Sequence, residues 1–90
     1  MYIGHVYGTV VATIKHQTFA NHKLLLVERL TPDGQVTPKY DICVDMVQAG
    51  VGDMVLVLDE GNSARQVLNQ VPNGAVRAVI VGVIDRIDLE

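Results

Sequence analysis

The sequence has few of the residues that small domains use for cross-links, ring stacking or nucleic-acid binding. It contains one cysteine, no tryptophan, three tyrosines and one phenylalanine in 90 residues. A single cysteine excludes a framework of intrachain disulfides. Lysine and arginine number seven against ten acidic residues, and the formal net charge is −3. Because a general nucleic-acid binder needs a basic surface, the composition predicts no nucleic-acid partner.

Long apolar runs are also missing. No uninterrupted stretch reaches the roughly 20 apolar residues of a membrane-spanning helix, so we expect no membrane partner. The N-terminus does not resemble a secretory signal, and the lone Cys43 suits a reducing compartment. These features predict a cytoplasmic protein. Ninety residues suffice for one small domain, and we interpret residues 1–90 as that domain.

Valine is the abundant residue, with sixteen copies, and β-branched side chains favour strands. The turn at Thr31–Gly34 joins two apolar runs and predicts a hairpin. We therefore predict an all-β fold, a small five-stranded barrel. Its predicted strands are Tyr2–Lys15, Lys23–Leu30, Val36–Val44, Met54–Leu58 and Val76–Leu89. Gly4 and Gly8 suggest strong coiling or close backbone approach, and Pro38 suggests an edge or a bulge.

One short helix is predicted between the fourth and fifth strands. Ser63 and Gln66 match a capping box, in which each side chain bonds the other residue's backbone N–H. Arg65 lies in the first turn of this predicted helix. It is either a solvated side chain or a fixed donor at a subunit boundary, where a planar guanidinium suits carboxylate and carbonyl acceptors.

Three strands are apolar on both faces, which is unusual for a barrel that buries only one face. Two of them contain the apolar runs Leu24–Val27 and Val55–Leu58. The third is the fifth strand, on which we expect one face to carry Val79, Val81 and Val83 and the other to carry Ala78, Ile80 and Ile84. With almost no helix to cover them, the outer faces are expected to contact other subunits. The alternative is that the short helix and the loops cover these faces.

No stretch of the sequence has the spacing of an active site or a metal site. His5, His16 and His22 with Cys43 match no zinc pattern. The glycine-rich Ala49–Asp53 leads into a strand, whereas a dinucleotide fingerprint opens a helix, so we interpret it as a tight connection. We expect no enzyme, no catalytic residue, no cofactor and no metal.

Several segments, in their order, resemble the EutN/CcmL family of bacterial microcompartment vertex proteins. They are Gly8–Thr13, Lys23–Val27, Val44–Asp45, Ala49–Asp53, Val55–Val57, Gly61–Arg65 and Ile80–Asp85. The resemblance implies a barrel related to the OB fold, homopentamers, and a structural role at the vertices of a carboxysome or metabolosome shell beside hexameric shell proteins. Two departures from the family pattern are Asn62, where the family has serine, and Arg77, where it often has aspartate.

The candidate functional residues belong to a subunit interface or pore loop. They are Gly61, Asn62, Ser63, Ala64 and Arg65 in the loop, with Ile80, Val81 and Val83 on the fifth strand. Two alternatives stay open: an OB-type binding module for an oligonucleotide or another ligand, and a small enzyme with its site at a subunit boundary. The scarce aromatic and basic residues disfavour the first, and the lack of a nucleophile beside a base disfavours the second.

Overall fold

The computed structural model describes residues 1–11, 22–59 and 78–89, and its regular elements are five strands. These are β1 (Tyr2–Val10), β2 (Leu24–Leu30), β3 (Val36–Asp45), β4 (Met54–Leu58) and β5 (Val79–Val83). They close into a barrel in the order β1-β2-β3-β5-β4. Every neighbouring pair is antiparallel except β3 and β5, which run parallel. The prediction of a five-stranded all-β barrel is confirmed.

Two strand ends differ from the predictions. β5 stops at Val83, whereas the sequence pattern extended it to Leu89. The Ile84 N–H donates to the carbonyl of Met54, which is the first residue of β4. Residues after Ile84 therefore have no β4 residue to pair with. β1 ends at Val10, and residues 12–15 of the predicted strand lie outside the described residues. The predicted helix at 63–68 lies outside the described residues. In the described ranges no helix is long and apolar enough to cross a bilayer.

The barrel interior is filled mainly by β-branched side chains, and buried residues alternate with less buried ones on β1, β2 and β4. The largest fully buried side chains are Val6, Leu25, Val27, Cys43, Val55, Val57, Val79 and Ile80, of which all but Val79 belong to one core cluster. Valine and isoleucine lose little additional freedom on a pleated strand, so they pack an interior of this width efficiently. Burial of this face stabilises each chain as a barrel.

Single extra residues bend two of the strands and keep the small barrel closed. Val6 pairs with Val27, and Gly8 pairs with Leu26, which leaves Tyr7 as an extra residue on β1. In the same way Val81 is extra on β5 opposite Leu56 and Val57. Such bulges increase local twist. The register also shifts between β2 and β3 beside Pro38, as predicted for that residue.

Gly4 allows β1 and β2 to approach closely. A Cβ at Gly4 would overlap the Val27 Cγ1 atom, and no flexible side-chain end could move aside. A Cβ at Gly8 would meet Leu26 at 3.5 Å, an ordinary contact distance. Of the two predicted roles, Gly4 therefore has the close approach, whereas Gly8 directly follows the bulge at Tyr7, where β1 coils more strongly.

Two turns have the backbone geometry that the sequence predicted. In the β2–β3 hairpin, Gly34 has φ 87°, and its N–H bonds the Thr31 carbonyl at 2.9 Å. In the β3–β4 connection, Gly52 has φ 98°, and the Gly50 N–H donates to Asp53 Oδ2 at 2.8 Å. The glycine-rich stretch is thus a tight connection into β4, as predicted.

Candidate subunit interface

Apolar side chains continue around the outside of the barrel on β1, β2 and β3. Leu26 pairs directly with Ile42, and Gly8 on the other side of Leu26 has no side chain to cover it. Ile42 is 54% exposed, Tyr40 is 64% exposed and Tyr7 is 41% exposed. We call Tyr7, Leu26, Tyr40 and Ile42 the outer patch. A contiguous exposed apolar surface of this kind is typical of protein contact sites.

A second outer surface lies between the β2–β3 hairpin, the start of β1 and the middle of β4. Here a row of paired residues runs from Ile3 through Leu56 to Gly82. The hairpin and this row enclose a pocket of about 570 Å³. The described residues that line this hairpin pocket are Met1, Tyr2, Ile3, Arg29, Leu30, Thr31, Pro32, Thr37, Lys39 and Leu56.

The hairpin pocket is apolar with a cationic rim. The Arg29 guanidinium lies 4.6 Å from the centroid of the Tyr2 ring, a cation–π contact that holds it over the pocket. Lys39 is exposed on β3. Neither cation has an ion-pair partner within the described ranges, and no carboxylate is among the lining residues.

A small polar cluster connects β1 to β3 at the edge of the core. The Tyr2 hydroxyl donates to Asp41 Oδ2 at 2.7 Å and lies 3.9 Å from the Cys43 Sγ. Burial is the main cause that raises the pKa of the Tyr2 hydroxyl far above its ordinary value. Burial also raises the pKa of the Cys43 thiol to about 12. Both groups are therefore protonated at neutral pH, and the thiol is a poor nucleophile.

A buried carboxylate fixes the loop that follows β3. Asp45 is 5% exposed, and its Oδ1 accepts hydrogen bonds from the N–H groups of Val47 and Ala49 at 3.1 and 3.2 Å. Its Oδ2 has no hydrogen bond but lies 3.4 Å from the Lys23 ammonium. Lys23 also donates to the Ala49 carbonyl at 2.7 Å. These contacts have a structural role, because they tie the backbone of the loop after β3 to the start of β2.

The described titratable residues do not gather into a site that could hold a metal. The imidazole Nδ1 of His5 lies 2.9 Å from Glu28 Oε1 on the outer wall, whereas Cys43 faces the interior. No group of three metal-ligating side chains occurs within residues 1–11, 22–59 and 78–89. His16 lies outside these ranges.

The predicted site residues on β5 fall into two different environments. Ile80 is fully buried in the core, Val81 is half-buried and Val83 is 46% exposed. Val79 is also fully buried, although strict alternation placed it on one face with Val81 and Val83. Val79 precedes the bulge at Val81 and is not part of the core cluster that contains Ala78 and Ile80, so its burial does not contradict the predicted opposition of Val79 to these two residues. The predicted loop residues Gly61 to Arg65 lie outside the described residues.

The sequence analysis missed most of the outer patch and all of the hairpin pocket. Alternation of Tyr40 and Ile42 with Asp41 and Cys43 was the signal that could have identified the β3 part of the patch. No local signal marks the hairpin pocket, because its walls come from β1, β4 and a hairpin that is distant from both in the sequence.

The closed barrel and its uncovered apolar outer wall define a small structural domain that is completed by contacts with other chains. Comparison with known proteins identifies the domain. Residues 1–85 match the profile of the family described as ethanolamine utilisation protein EutN/carboxysome. The chain belongs to this EutN/CcmL family, which confirms the resemblance found in the sequence.

Several relatives are similar along almost their whole length. The chain is 42% identical to the microcompartment shell vertex protein PduN of Salmonella typhimurium, over 94% of this chain and 96% of PduN. It is 37% identical to the carboxysome shell vertex protein CcmL of Gloeobacter violaceus, over 100% of this chain and 88% of CcmL. The solved pentameric shell protein GrpN of Rhodospirillum rubrum superposes with a TM-score of 0.85, at 38% identity and 100% coverage of both chains.

Proposed function

We propose that five copies of this chain close into a ring that occupies a vertex of a bacterial microcompartment shell. The observation that carries the proposal is the full-length likeness to GrpN, whose structure is that of a pentameric microcompartment shell protein. The chain is a structural shell component, and its place in the cell is the microcompartment shell. A closed polyhedron needs five-fold positions among its six-fold tiles, and a pentamer fits such a position.

The outer patch supports an assembled state. On a single chain, water contacts the large apolar or aromatic side chains of Ile42, Tyr40 and Tyr7. A ring repeats one heterologous contact until it closes, so each subunit covers part of its neighbour's outer wall. The patch is not suited to stacking nucleic-acid bases, because Tyr40 pairs across the sheet with Glu28 and is followed by Asp41.

We propose that the chain has no catalytic activity of its own. Its buried thiol and buried tyrosine are both protonated, as shown by their raised pKa values. The most enclosed carboxylate, Asp45, is occupied by backbone N–H groups and Lys23. We propose that the ring binds hexameric shell proteins of the same compartment.

The family-like loop at Gly61–Arg65 remains part of the proposal. We expect it to lie near the five-fold axis or at a subunit boundary, with Arg65 as a donor to carboxylates or carbonyls. Arg65→Ala should weaken the ring more than it weakens the barrel. Equal ring stability of the variant and the unmodified protein across a salt series would contradict this placement.

Native mass spectrometry tests the proposed assembly. At micromolar concentration we expect one dominant species of five times the 9.8 kDa chain mass. Ile42→Asp places a charge in the outer patch and should dissociate the ring while circular dichroism still reports a folded barrel. Val51→Asp is the matched control, since Val51 is 64% exposed in the β3–β4 turn. A dominant monomer or hexamer of the unmodified protein would overturn the vertex proposal.

A further inference from the structure

The segment that follows β5 belongs to no strand in the part of the chain that the structure describes. Beyond the Ile84 N–H bond to Met54, residues 85–89 form no strand. Within this segment, Arg86 Nε lies 3.2 Å from Asp88 Oδ2 and forms an ion pair with it. Leu89 is 63% exposed and Ile87 is half-buried. Residues 85–89 thus combine an exposed apolar side chain, Leu89, with two carboxylates and one guanidinium.

The hairpin pocket has the complementary character. Ile3, Leu30 and Leu56 supply an apolar lining, and Arg29 and Lys39 supply positive charge. No residue of the segment 84–89 lines the pocket of its own chain. The pocket and the segment are thus two different surfaces of one molecule that match each other in charge and polarity.

We propose that residues 85–89 of each subunit dock in the hairpin pocket of the next subunit, with the Ile87 and Leu89 side chains on the apolar lining and Asp88 facing Lys39 and Arg29. A contact between two different surfaces of identical chains is heterologous, and heterologous contacts generate closed rings. The inference rests on the proposed ring and names one of its contacts.

Five extended residues span at most roughly 16–18 Å, so the end of the segment can lie that far from the end of β5. The Arg29 guanidinium is already oriented by the Tyr2 ring, so less side-chain freedom is lost when a carboxylate binds. Docking also covers Leu89, which is otherwise one of the most exposed apolar side chains in the described ranges.

Cysteine cross-linking tests which subunit receives the segment. Cys43 is buried, so added cysteines react without competition from it. The double variant Pro32→Cys with Leu89→Cys, oxidised with oxidised glutathione, should give a ladder of covalently linked chains up to five. Each single variant can give dimers at most. The matched control Val51→Cys with Leu89→Cys should give no ladder, because Val51 lies outside the hairpin pocket.

The outcomes of cross-linking separate this inference from the proposed function. A closed ring without a ladder would overturn the docking and leave the pentamer standing. An intrachain disulfide in monomeric chains would place the segment on its own barrel and also overturn the docking. If the unmodified protein forms no ring, the proposed function fails first and the docking fails with it.

A charge exchange provides the second measurement. Lys39→Glu and Asp88→Lys should each weaken the ring, because each brings like charges together. In each variant the protein concentration below which the ring dissociates should rise on the order of tenfold. The two substitutions in one chain should restore the dissociation concentration to within about threefold of the unmodified protein. Gln48→Lys adds a positive charge at an exposed position of the β3–β4 connection, outside both the segment and the pocket, and should have little effect. Additive losses in the double variant would overturn the docking.

Discussion

The inner and outer faces of β2 are almost equally apolar, yet they have different roles. Leu25 and Val27 point inward, where they are at most 1% exposed, and Leu24 and Leu26 on the outer side are only half-buried. The inner pair stabilises a single barrel. The outer pair gains little from the fold of one chain and gains more when another chain covers it. Hydrophobicity alone therefore does not tell a core residue from an interface residue in this protein.

The largest effect on barrel stability is expected from a charge on the inner face. Ile80→Asp places a carboxylate at a fully buried position and should destabilise the barrel by more than about 4 kcal/mol, which unfolds the chain. Val83→Asp on the same strand is the matched control, because Val83 is 46% exposed. Urea unfolding followed by circular dichroism measures both. Loss of the fold in both variants would show that the two faces of β5 are not distinct.

A smaller effect is expected where two strands approach closely. Gly4→Ala forces Val27 or the backbone to move and should cost about 1–3 kcal/mol of unfolding free energy. Gly8→Ala meets Leu26 at an ordinary distance, so its effect should stay within about 1 kcal/mol. Denaturation midpoints of the two variants provide the comparison. A milder effect at Gly4 than at Gly8 would contradict the described β1–β2 packing.

The buried thiol should make the inner face sensitive to alkali. The Cys43 pKa is raised to about 12 in the fold, so deprotonation favours the unfolded chain. Its contribution is fully present below the ordinary thiol pKa of about 8.5 and is lost as pH rises toward about 12. Cys43→Ala should cost about 1 kcal/mol at neutral pH and reduce the loss of stability in this alkaline range. Unfolding measured at several pH values tests both expectations.

A control separates the thiol from the neighbouring phenol. Tyr2→Phe keeps the thiol but removes the hydroxyl whose pKa is raised by burial and by the bond to Asp41. This variant should retain the part of the alkaline loss that belongs to Cys43. Rapid alkylation of Cys43 in the folded protein at pH 8 would contradict a protected thiol.

The smallest effect is expected on the outer wall. The side chains of His5 and Glu28 are 38% and 24% exposed, and exposed pairs contribute about 0–1 kcal/mol. Glu28→Gln should therefore change the unfolding free energy by less than about 1 kcal/mol. A double-mutant cycle with His5→Ala measures the coupling. Coupling above about 2 kcal/mol would mean that this surface pair acts like a buried one.

Much of the fold could be predicted because it depends on local patterns. The valine-rich runs, the Thr31–Gly34 turn and the glycine-rich connection placed β2, β3 and β4 to within a residue. The bounds of β5 were wrong, because its end depends on where β4 begins. The bulge at Val81 also shifts the alternation of the residues that follow it on β5. A two-residue period cannot reveal an extra residue, since the partner strand decides which residue is extra.

The sequence by itself determined that this protein is an all-β domain with more apolar surface than one small barrel can bury, and its ordered motifs indicated the EutN/CcmL family. Only the tertiary structure decided which apolar residues lie outside. It paired Leu26 with Ile42 and enclosed the hairpin pocket between segments that are distant in the chain. The physical reason is that composition fixes how much apolar surface exists, whereas strand order and register fix where that surface lies.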